Sequence, residues 1–99
     1  MTQDEFKSLE AVYEEVIALM PNKFDSHAFI LKLAHEYQQL YVQVLSNYAD
    51  AEKPFQAVNA QIAMRLLKFP QLVTMVGEHI SKDIFLQEKT ASLWQKVEK

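Results

Sequence analysis

Three histidines, His27, His35 and His79, are the side chains best suited to holding a transition metal in this 99-residue, cysteine-free chain. Imidazole nitrogen suits zinc or iron, but an ion needs three or four ligands converging on one point. His27 and His35 stand eight residues apart, two turns of a helix and too far to share an ion. His79 and Asp83 have the i, i+4 spacing that brings two ligands onto one helical face. No Glu-x-x-His or His-Glu-x-x-His run supplies further ligands, so no metal is expected and His79 reads as a solvated residue near a helix end.

Other chemistry fares no better. Glu10 and Glu14 lie one turn apart, a spacing at which two carboxylates could divide acid and base roles. Nothing in the sequence desolvates them and Lys7 stands beside them, so a solvated face with a weak charge pair is expected. No nucleophile elbow is present, and a single glycine, Gly77, cannot build a backbone cradle for phosphate. The chain is read as non-catalytic and without a cofactor.

Two binding readings use polar residues. Gln61, Arg65 and Lys68 fall on one face of a predicted third helix, with Gln56 and Asn59 nearby. Arginine, glutamine and asparagine read base edges, and a helix followed by a turn and a short helix imitates a helix-turn-helix. A net charge of -3 and a single arginine oppose phosphate binding. A small nucleic-acid-binding regulator is therefore the alternative, not the preferred function. A further alternative is a small-ligand protein whose pocket lies between helices, with Asn59 or His35 as its polar group.

The preferred reading is a protein-protein interaction or self-association module, a homodimer being one form of it. Tyr37, Tyr41 and Tyr48 run along one flank of the second predicted helix, and Leu31 and Val42 fall outside its main apolar arc. Tyrosine packs well while keeping a polar tip, which suits an interface as well as the rim of a core. Leu31, Tyr37, Tyr41 and Val42 are the expected contacts. Trp94 is divided between clamping the core and anchoring a partner.

The elements that must position these residues read as helices throughout. Residues Asp25 to Tyr48 carry Phe29, Ile30, Leu33, Ala34, Tyr37, Leu40, Tyr41, Val44, Leu45 and Tyr48 on one broad arc. An arc that wide needs several partners, so this helix is expected at the centre. Asp25 serves as its N-cap, with Phe24 and Phe29 as a hydrophobic staple. Before it, Thr2 and Glu5 have the form of a capping box. Phe6, Leu9, Val12, Tyr13, Val16, Ile17 and Met20 then recur at helical spacing until Pro21. With so short a turn between them, these two helices should pack antiparallel.

Pro54 opens a third helix, with Phe55, Val58, Ile62, Leu66 and Phe69 as its stripe and Asn59 beside it as a buried polar group needing a partner. Residues Gln71 to Val76 read as a short helix closed by Gly77 in preference to an extended segment, because a lone strand would have nothing to pair with. Ile84, Phe85 and Leu86 read as a loop anchored in the core. Thr90 then caps a last short helix carrying Leu93, Trp94 and Val97.

The expected architecture is therefore all-α: a single domain over residues 1–99, a bundle of about four helices around a long central second helix. At 49% hydrophobic and 23% charged, the composition suits one globular core. A chain of this length should bury roughly two thirds of its unfolded surface. The acidic start and the lack of any long apolar run argue against a signal peptide or a membrane span, and the absence of cysteine suits a cytoplasmic protein.

Overall fold

The computed structural model describes residues 4–97, the side chains of residues 4 and 5 excepted. It corrects the all-α expectation. Among the described residues the order is α1 (Asp4–Glu10), α2 (Tyr13–Leu19), β1 (Lys23–Asp25), α3 (Ser26–Glu36), α4 (Gln38–Ser46), α5 (Pro54–Met64), a 3-10 turn (Arg65–Lys68), β2 (Val73–Lys82) and β3 (Glu88–Lys96). The three strands form an antiparallel sheet in the order β1-β3-β2.

In the N-terminal half the helical periodicity is right and its continuity is not. Phe6, Leu9, Tyr13, Val16, Ile17 and Met20 are all buried, as their spacing predicts, but the chain kinks at Val12 (φ -103°, ψ 1°) and splits the helix into α1 and α2. Thr2 of the expected capping box lies outside the described residues. The start of α3 is as predicted. Asp25 accepts a hydrogen bond from the Ala28 amide at 2.7 Å, and the Phe24 and Phe29 rings stack with centroids 6.1 Å apart.

The central helix is also divided. Tyr37 leaves helical dihedrals (φ -130°, ψ 59°) and separates α3 from α4. Neither proline nor glycine marks the break. There the Tyr37 hydroxyl donates to Glu15 of α2 at 2.7 Å. Burial along the segment still follows the predicted arc, since Phe29, Ile30, Leu33, Tyr41 and Val44 all belong to the core. The helices pack α2 on α3 and α1 on α4, the antiparallel arrangement expected of the first two predicted helices. Tyr13 lies between layers, its ring against Phe29 and Phe69 and its hydroxyl donating to the Ile62 carbonyl at 2.7 Å.

The C-terminal third departs from the sequence reading in its two expected helices. Residues 73–76 open strand β2 after a turn at 71 and 72, Gly77 lies within it beside a bulge and has no positive φ, and Thr90 belongs to β3 instead of capping a helix. A strand did lack a partner if residues 90–97 were helical. Both segments change together, and each supplies the other's backbone partners from Val73 opposite Lys96 to Lys82 opposite Glu88. The hairpin closes at Asp83, whose carboxylate accepts from the Phe85 and Gln87 amides at 2.9 and 3.0 Å. Leu86 takes φ 66° there, a left-handed position that glycine or asparagine usually fills. Ile84 of the predicted anchored loop packs against the core, while Phe85 and Leu86 are exposed.

Two stability outcomes follow from this geometry. Tyr13→Phe removes a buried hydrogen bond to the Ile62 carbonyl, which should lower the unfolding free energy by about 1 kcal/mol in urea titrations with an unchanged slope. Leu86→Gly removes the left-handed strain at an exposed position and should raise stability by about 1 kcal/mol. A fall in melting temperature for Leu86→Gly would contradict the strain.

Candidate functional site

The residues singled out for nucleic-acid binding are tied into the fold. Arg65 bonds the Glu10 carboxylate, Lys68 reaches the same oxygen at 3.1 Å, and the Arg65 guanidinium lies 4.3 Å over the Phe6 ring. Arg65 Nε is buried without a hydrogen-bond partner among the described residues. Gln61 is half-buried on α5. Burial alone would raise the Glu10 carboxyl, but hydrogen bonds and charge from Arg65 and Lys68 outweigh it and hold it below its ordinary value of 4.5. Glu10 therefore clamps α1 to the end of α5, a role that sequence could not assign because the partners lie 55 and 58 residues away.

His27 and His79 are likewise tied into the fold. His79 Nε2 stands 2.8 Å from Asp25 Oδ2, and His27 Nδ1 stands 2.7 Å from Ser81 Oγ. These contacts seat the first turn of α3 on strand β2. His35 is solvent-facing. No group of three or more His, Asp or Glu among the described residues could hold a metal ion.

Of the expected partner contacts, Tyr41 is 6% exposed and donates from its hydroxyl to Asn59 Oδ1 at 2.7 Å. That bond supplies the partner Asn59 needed and commits Tyr41 to the core. Tyr37 is half-buried and held by Glu15. Leu31 and Val42 are 57% and 58% exposed, on α3 and α4 respectively. The structure thus divides the predicted patch into two core or rim tyrosines and two open aliphatic side chains.

Two surface features remain, and Asn59, one of the residues expected at a ligand pocket, lines the first of them. One is a cleft of about 270 Å³ between the start of α3, α5 and the hairpin, lined by Ser26, His27, Asn59, Ala63, Ile84 and Thr90 among others. It is smaller than the roughly 300–1,000 Å³ of most small-molecule sites. Its Ser26 hydroxyl and Asn59 carbonyl oxygen already accept from Trp94 and Tyr41, and His35 does not line it.

The other is the outer edge of β2. This strand runs from Val73 to Lys82 and pairs only with β3 among the described residues, so its far side presents unpaired N–H and C=O groups. Met75, Val76 and Ile80 are exposed along it, Ile80 at 69%. The signal in the sequence was the cluster of β-branched residues Val73, Thr74 and Val76, which becomes decisive only once residues 88–96 are recognised as their partner.

No helix among the described residues is long and apolar enough to cross a membrane. Comparison with family models, curated proteins and solved structures gives no match, so a functional reading has to come from the geometry alone.

The Glu10 clamp sets a pH dependence. Its folded-state carboxyl is depressed, so its contribution to stability is present above the ordinary value near 4.5 and is lost as pH falls through the folded value. At pH 7, Glu10→Gln should be less stable than the parent by about 1 kcal/mol. That gap should close in urea titrations run below pH 4, and a gap constant from pH 7 to pH 3 would contradict the clamp.

Proposed function

We propose that this chain is a non-catalytic cytoplasmic module for protein-protein interaction or self-association, and that its contact surface is the outer edge of β2. The observation that carries the reading is a strand of ten residues with a free backbone edge and three exposed apolar side chains. Such an edge recognises an extended segment by completing the sheet, with main-chain hydrogen bonds providing affinity and alternate side chains providing selectivity. Burying Met75, Val76 and Ile80 would add about 25 cal/mol per Å² before the costs of association. Leu31 on α3 and Val42 on α4 are exposed as well and are the remaining contacts of the helical reading. The absence of cysteine is compatible with a reducing compartment.

A photocrosslinking side chain at Val76 should give a discrete covalent adduct in cells, and one at exposed Glu14 on α2 should not. An adduct from Val42 in place of Val76 would move the interface to α3 and α4. The β2 reading would be abandoned if Val76 gave no adduct at all.

A further inference from the structure

We infer that the partner of this edge is a second copy of the same chain, paired antiparallel through β2 about a two-fold axis at Ile80; this deepens the interaction reading and rests on it. Edge strands are commonly protected by charge, because a charged side chain opposite an arbitrary strand is unfavourable. Here the charges have a self-complementary order. Glu78, Ile80 and Lys82 alternate along β2 and therefore share one face of the sheet. A two-fold axis at Ile80 sets Glu78 of one copy opposite Lys82 of the other, twice, and packs Ile80 against its own equivalent.

The neighbouring registers lack this match. An axis at Glu78 sets two carboxylates opposite each other, which is unfavourable at directly paired positions. An axis nearer Gly77 runs the pairing through the irregularity between Met75 and Gly77, where the strand is bent and its ladder interrupted. Residues 78–82 lie wholly beyond that bulge. Glu78, Ile80 and Lys82 are exposed, and neither charge forms an ion pair with any described residue.

The opposite face is compatible with the same axis. It sets His79 of one copy opposite Ser81 of the other, and both side chains already turn to α3, at Asp25 and His27. The result is one continuous sheet in the order β1-β3-β2-β2-β3-β1, in which the free β2 edge of each copy is consumed by the other.

The test is association of the purified full chain, measured by sedimentation and light scattering over a concentration series, with circular dichroism as the check on folding. The parent should dimerise in a concentration-dependent manner. Glu78→Lys or Lys82→Glu alone sets like charges opposite each other at both ends of the pairing and should weaken association about tenfold or more. Mixed one to one, these two variants should recover it, because each then meets an opposite charge. Lys82→Glu also faces Glu88 within its own hairpin, so Ile80→Lys, at an exposed position, supplies an independent disruption. Self-association of Glu78→Lys, Lys82→Glu or Ile80→Lys as tight as that of the parent would overturn this register. A parent monomeric at every concentration would overturn the second copy as partner, while an adduct from Val76 with a different protein would leave the interaction reading standing.

Discussion

The bond between the Trp94 indole N–H and the Ser26 hydroxyl, 2.9 Å long and buried, is the contact through which sheet and helices become one structure. Trp94 belongs to the central strand, opposite Phe24 of β1 and Met75 of β2, so it touches every strand as well as the first turn of α3. Ser26 is buried at 5% exposure, and its oxygen is satisfied by that indole. An unpaired hydroxyl there would carry a desolvation penalty. The pair thus fixes where β3 lies relative to α3, and the hairpin's reach beyond the core follows from it.

From that anchor the hairpin projects with its first strand at the margin. β1 covers only Leu93 to Gln95 of β3, and on the other side β2 has no further strand beyond it among the described residues. The contacts of Asp25 with His79 and of His27 with Ser81 hold β2 against α3 by side chains on one face. They leave its backbone edge free. A sheet held firmly at its centre and open along one margin is suited to accept another strand without rearrangement, since the ordering cost of β2 is already met in the folded monomer.

Local signals in the sequence were reliable where the deciding interaction was local. The Asp25 cap, the Phe24 and Phe29 staple and the spacing from Phe6 to Met20 each predict what is found, because every partner lies within a few residues. Three things were not legible. The kinks at Val12 and Tyr37 occur without proline or glycine, and the Tyr37 break coincides with a hydrogen bond to Glu15 that no helical pattern encodes. The hairpin turn carries Leu86 where glycine or asparagine would have announced it, so the two strands read as separate short helices. Arg65 and Lys68 looked free because their acceptor, Glu10, sits at the other end of the chain. The bond from Tyr41 to Asn59 joins residues 18 apart and was likewise not legible from local spacing.

Whether the margin of β2 is where this chain meets its partner can be read most directly from amide hydrogen exchange, residue by residue, in dilute and in concentrated solution. On this account, alternate amides between Glu78 and Lys82 exchange rapidly when dilute and become protected as concentration rises, in step with the solution mass, while core amides of α3 stay unchanged. Rapid exchange of those same amides in a sample shown by mass to be associated would place the contact elsewhere on the surface.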